Sequence, residues 1–129
     1  MRFVVHHHIL AGGSHWDLMF EAGAGLATWR SPVPLAQVDA RPVAIERIGD
    51  HRLAYLSYEG PVSGDRGRVE IHETGTYETL DVTEREWRIR VSGSLTHAAF
   101  LLCSSGGASG EWTIRRTADE VARPNETRV

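Results

Sequence analysis

The 129-residue chain has no lysine, a single cysteine and fewer basic than acidic side chains. Each shortage excludes something. With Cys103 alone, no internal disulfide can form, and a reducing compartment is the natural setting. No apolar stretch approaches the roughly 20 residues needed to cross a bilayer as a helix, so no membrane partner is expected. The N-terminus has no charged segment followed by a long apolar run, which excludes a signal peptide and implies a cytoplasmic protein. A net charge of −3 argues against gripping nucleic acid through bulk positive potential; any such contact has to be local, at an end or in a small pocket. All 14 basic residues are arginine. That suits planar, bidentate phosphate contacts, although a GC-rich genome produces the same bias and is the simpler cause.

Helical periodicity is also scarce. In its place, short runs rich in β-branched and aromatic residues alternate with glycine and proline. Strands are expected near Arg2–His8, His15–Glu21, Leu26–Trp29, Ala44–Ile48, Arg68–His72, Thr76–Leu80, Glu86–Ser92, His97–Cys103 and Glu111–Arg116. "RSPVPLAQVDARP" is a proline-bearing connection that covers surface or a mouth, and "LAYLSYE" at 53–59 suits one short helical turn. "SSGGASG" at 104–110 reads as a flexible hairpin loop. So many sequential strands with short links favour an all-β fold, a compact closed antiparallel β-barrel without exposed edges. One domain is expected over 1–116, with a polar, flexible C-terminal tail over 117–129.

Two stretches carry chemistry. "HHHILAGGSHWD" at 6–17 contains four of the seven histidines. A tag is normally a longer run outside the folded part, whereas this one continues a strand. Alternate strand residues share a face, so His15 and Asp17 point the same way, as do His6 and His8. "ILAGGS" joins the two strands as a hairpin loop. If the hairpin pairs His8 with His15, His6 falls opposite Asp17, and directly opposed Cβ atoms lie about 4.5–5.5 Å apart. Two histidines and a carboxylate with positions left open suit Mn²⁺, Fe²⁺ or Zn²⁺. His7 faces the other side as a spectator; His72 and His97 are packing or surface residues by default.

The second stretch, "GDHRLAYLSYEGPVSGDRG" at 49–67, gathers His51, Arg52, Tyr55 and Tyr58 before a glycine-rich segment. Beside a metal, arginine neutralises phosphate charge, and histidine donates a proton or hydrogen bond. Tyrosine bonds a phosphate oxygen.

Taken in order, "RFVVHHH…HWDLMFE", "DHRLAYLSYEGPVSGDRG" and "ETGTYE" resemble the 3′-phosphoesterase domain of bacterial DNA ligase D. The likeness extends from Phe3 to Arg116 and is greatest to small stand-alone members without polymerase and ligase modules. It implies a β-barrel with a polar metal-binding pocket that trims 3′ ends of DNA in end repair. The implied enzyme removes a 3′-terminal ribonucleoside and then the 3′-phosphate, using a divalent metal, manganese by preference, with zinc or another transition metal as alternatives. The implied metal ligands are His8, His15 and Asp17; this loop is one residue longer than the family's, so His6 or His7 are alternatives to His8. His51 and Tyr55 match the family's phosphate-contacting pair. The implied partners are a 3′ end of DNA or a primer-template, and end-joining repair proteins.

Two departures stand out. The family often has an arginine two residues after the metal aspartate, where this chain has Met19; Arg52 is the candidate substitute and completes a catalytic set of His51, Tyr55 and Arg52, with Arg47 behind it. The family's catalytic segment before the first strand also has no counterpart, since this chain starts at that strand. The expectation is a Mn-dependent 3′-phosphoesterase. The alternatives are a degenerate, non-catalytic member that binds metal and phosphate ends, or a small-molecule phosphoesterase.

Overall fold

A computed structural model describes residues 1–107 and 110–118. The strands are β1 (Arg2–Leu10), β2 (Gly13–Ala22), β3 (Gly25–Ser31), β4 (Val43–Arg52), β5 (Gly60–Pro61), β6 (Arg68–Val82), β7 (Glu86–Gly93), β8 (His97–Ser104) and β9 (Glu111–Thr117). Eight of them run β1-β2-β3-β4-β9-β8-β7-β6, and pairing of β6 with β1 closes this all-antiparallel barrel. The short β5 adds to the first residues of β6. Of the expected tail, Thr117 is the last residue of β9, and 119–129 lie outside the described residues. Ala108 and Ser109 of the expected 104–110 loop do so too.

The barrel interior is built by strand alternation. Phe3 and Val5 on β1, Leu18 and Phe20 on β2, and Trp29 on β3 join residues from every other barrel strand in one buried cluster. Phe20 is its hub: its ring meets those of Phe3, Trp29, Tyr77 and Trp87 at centroid distances of 5.3–6.1 Å. The 32–42 connection plugs the barrel, since Leu35 and Val38 are buried in the same cluster. Arg116 pins it by donating to the Val38 carbonyl at 3.0 Å and the Ala36 carbonyl at 3.4 Å.

The opposite faces of β1, β2 and β3 point out of the barrel yet are not all wet. Val4, Met19 and Leu26 form a second buried cluster beneath Leu53, Tyr55 and Leu56. These three cover residues belong to a 3-10 turn at Leu53–Leu56, where the sequence suggests a short helical turn. The histidine cluster of β1 and β2 sits beside this covered patch, on the outer wall of the barrel.

Two sequence expectations change. Arg68–His72 and Thr76–Leu80 are not separate strands; they belong to one continuous β6 of 15 residues. Gly75 invites a break, but its role is close approach. It pairs with Phe3 on one side and Gly93 on the other, and a Cβ there would lie 2.3 Å from the Ser92 carbonyl oxygen. Likewise "ILAGGS" is mostly strand: pairing continues to Leu10 opposite Gly13, so the turn shrinks to Ala11 and Gly12.

Phe20→Ala should lower unfolding free energy by about 3–5 kcal/mol, read from denaturant titration. A loss below about 1 kcal/mol would show that the aromatic hub is not what holds the interior together.

Candidate metal centre

The β1–β2 register is the one that makes the histidine cluster converge. His8 pairs with His15 and His6 with Asp17, all on the outer face. His8 Nδ1 lies 3.2 Å from His15 Nε2 and 3.6 Å from Asp17 Oδ2, and His15 Nε2 lies 3.3 Å from Asp17 Oδ1. Ligands sharing one ion at bond lengths of about 2.0–2.2 Å stand roughly 3.0–3.6 Å apart, so these separations fit a single ion. Among the described residues, this is the group whose His, Cys or carboxylate donors all lie within 4.8 Å of one another.

The proton inventory supports the same fit. His8 Nε2 lies 2.7 Å from the Arg66 carbonyl oxygen. A carbonyl only accepts, so Nε2 carries the hydrogen and Nδ1 is the nitrogen turned to the cluster, the arrangement typical of a ligating histidine. Asp17 Oδ1 is buried with no hydrogen bond, because its approach to His15 is close but poorly aligned. Burial pushes His15 below its ordinary value, against the pull of Asp17, and the Arg30 charge adds to the depression. A neutral imidazole is the form that ligates.

His8 is held by a loop that only glycine permits at one point. Gly67 has φ +75°, and a Cβ there would sit 2.0 Å from the Ile9 carbonyl oxygen. That contact seats the 62–67 loop against β1 and aims the Arg66 carbonyl at His8.

A cavity of about 420 Å³ opens over these residues, walled by His6, His51, Tyr55, Arg30 and Arg66 among others. His51 lies on β4, and its Nδ1 is 3.1 Å from the Gly49 carbonyl oxygen, so Nδ1 donates there and Nε2 is left for a ligand. Tyr55 stands edge-on to His51 at 5.5 Å and to His6 at 6.1 Å between ring centroids. His6 is 1% exposed, and its Nε2 has no partner. It lies outside the three-donor group and forms the cavity wall, with a hydrogen bond to the Tyr55 backbone. His7 faces the other way, stacked on Trp16 at 4.5 Å and bonded to Ser14.

The structure brings His8, His15, Asp17, His51 and Tyr55 together but does not bring Arg52 to this cavity. Arg52 reaches it only if the chain turns at His51; instead β4 stays extended through Arg52, and the turn begins at Leu53. Arg52 lines an adjoining groove with Tyr55 and Tyr58. Arg47 is turned away too, stacked over Trp29 at 4.8 Å and bonded to Asp50 at 2.9 Å. Met19, where the family resemblance leads one to expect arginine, is fully buried. The cavity's own guanidinium groups are those of Arg30 and Arg66, which sequence reasoning missed. The signal for Arg30 was the tight β2–β3 hairpin: Ala22 opposite Gly25 places Arg30 opposite Asp17.

A family model for the DNA ligase D 3′-phosphoesterase domain matches residues 5–104. No curated protein matches the chain at a significant level.

If the group holds a divalent ion, Gly67→Ala should weaken its binding about 10- to 100-fold in calorimetry with Mn²⁺ as the probe, since it displaces the carbonyl that orients His8; unchanged affinity would remove that loop from the site. A second expectation concerns acid. Burial, only partly opposed by the Tyr55 hydrogen bond, holds His6 below its ordinary 6.5. The unfolded chain therefore takes up a proton that the folded chain refuses. The stability from neutral His6 is complete above its unfolded value and is lost as pH falls toward the folded one. The melting temperature of metal-free protein should fall between about pH 7.5 and about pH 5, less steeply in His6→Gln. Identical slopes would mean that His6 does not carry the effect.

Proposed function

The chain belongs to the DNA ligase D 3′-phosphoesterase domain family, and from that premise we propose that it removes the phosphate from 3′ ends of DNA in a manganese-dependent hydrolysis. Removal of a 3′-terminal ribonucleoside from the same ends, during end repair, is the companion activity. The observation that carries this reading is the three-donor group, with its buried, unsatisfied Asp17 oxygen and tautomer-fixed His8, opening into the cavity walled by His51 and Tyr55.

In this proposal His8, His15 and Asp17 hold the ion. When bound, it supplies Lewis-acid polarisation of a phosphoryl oxygen and a water of lowered pKa. The remaining chemistry belongs to the side chains. Water adds to phosphorus, the P–O3′ bond breaks, and the 3′ oxygen leaves with a proton. His51 holds its Nδ1 hydrogen on the Gly49 carbonyl, which aims Nε2 at the phosphate to donate a proton or hydrogen bond. Tyr55 orients the same group through its hydroxyl. The net charge of −3 suits local capture of an end rather than clamping of a duplex.

A second reading draws on Met19. Because that position is apolar and buried, β2 offers no cation beside Asp17, which favours a member that binds metal and phosphate ends without turnover. An oligonucleotide bearing a 3′-phosphate separates the two. The main reading expects Mn²⁺-dependent release of inorganic phosphate, leaving a 3′-hydroxyl. It expects abolition by chelator and a loss of about 10²-fold or more in Asp17→Ala and His51→Ala. Binding of the oligonucleotide without release would establish the second reading. Equal turnover of a 3′-mononucleotide would point to a small-molecule phosphoesterase.

A further inference from the structure

A phosphate dianion brought in beside Asp17 and one divalent ion leaves negative charge uncompensated, and its free oxygens favour a charge-assisted donor. Two guanidinium groups line the cavity, Arg30 and Arg66. Arg66 is committed to its own loop: Nε donates to the Ser63 carbonyl at 2.7 Å, and a terminal nitrogen lies 3.3 Å from Ser63 Oγ. The Arg30 guanidinium is different. Among the described residues it has no hydrogen-bond or ion-pair partner, although it stands directly opposite Asp17 in the β2–β3 register. Directly opposed residues share a face with Cβ atoms about 4.5–5.5 Å apart, so Arg30 rises on the side that carries His8, His15 and Asp17. Glu46 is its neighbour on the other flank, on β4, yet forms no ion pair with it. An unpaired cation at the rim of a site for an anion is available to that anion.

The reason for this placement lies under the covering turn. Met19 follows Asp17 on the same face of β2 and is buried with Val4 and Leu26 beneath Leu53 and Leu56. That position supports the 3-10 turn that carries Tyr55, so it cannot also present a charge without burying it. One step sideways, on β3, Arg30 itself is exposed between buried neighbours, and its charge stays solvated until an anion arrives.

We infer that Arg30 is the phosphate-contacting guanidinium of this cavity, carried on β3 beside the metal aspartate. The assignment rests on the phosphoesterase reading for its substrate, and it adds the residue that neutralises the substrate phosphate.

Two measurements on the full chain test it: binding of inorganic phosphate in the presence of Mn²⁺, and hydrolysis of the 3′-phosphate oligonucleotide. Arg30→Ala should weaken phosphate binding and lower kcat/KM, each by about 10- to 100-fold. Arg30→Lys should recover part of both, because it restores the charge without the planar fork. Mn²⁺ affinity should hold within about threefold, and the melting temperature within about 2 °C, as suits an exposed side chain. Arg41→Ala, remote from the cavity, controls for loss of one positive charge. Full activity and phosphate affinity in Arg30→Ala overturn the inference while leaving the phosphoesterase reading intact. So does a loss in Arg52→Ala with none in Arg30→Ala. A wild-type chain without turnover whose phosphate binding still depends on Arg30 overturns that reading and upholds Arg30 as the anion contact.

Discussion

The register of the β1–β2 hairpin governs the candidate site, because strand side chains alternate and a slip by one residue would send His8, His15 and Asp17 to the wrong side. With Ala11 and Gly12 as the turn, His8 meets His15 and His6 meets Asp17. The same register sends Phe3, Val5, Leu18 and Phe20 inward to the aromatic interior. Hydrophobic burial on one face thus enforces chemistry on the other. The interior cannot be satisfied without placing His8, His15 and Asp17 side by side outside.

That coupling makes a polar cluster tolerable where it has few partners. Asp17 Oδ1 and His6 Nε2 are buried without hydrogen bonds, and such atoms cost about 1–3 kcal/mol each when left unsatisfied. The barrel offsets this through its closed ladder, its plugged interior and the second apolar cluster under the Leu53–Leu56 turn. The turn has two roles. It shelters Met19 and Leu26, and it delivers Tyr55 to the cavity wall beside His51. The 62–67 loop completes the enclosure by handing the Arg66 carbonyl to His8. Two segments, the Leu53–Leu56 turn and the 62–67 loop, thereby act on one pair of strands.

Electrostatically, the cavity is divided. Its base holds histidines and one carboxylate; its rim holds arginine. His15 shows the balance directly: desolvation outweighs the attraction of Asp17, and the Arg30 charge pushes in the same direction. Nitrogen donors within and an unpaired guanidinium at the edge make an arrangement suited to a cation held deep and an anion arriving over it.

Much of this is legible in the amino-acid sequence. The short β-branched runs and glycine punctuation determined an all-β barrel, and the glycine-ended link between two histidine-bearing strands pointed to a hairpin whose register, if it pairs His8 with His15, gathers His8, His15 and Asp17. Those are local facts, set by alternation and by a short turn. What the tertiary structure decided depends on summing contacts over distance. Gly75 looks like a break but is a crossing point, because β1 and β7 both press against it. The proline-rich connection became a barrel plug only because an open end needed apolar cover. Arg52 and Arg30 exchanged standing for the same kind of reason. Whether Arg52 entered the cavity depended on where β4 stops, and Arg30 entered it through two successive hairpins and a closed sheet that fixed which face was outside. Sequence spacing determines which side chains share a strand face; only closure of the barrel and packing of its cover decide which face becomes core and which becomes a site.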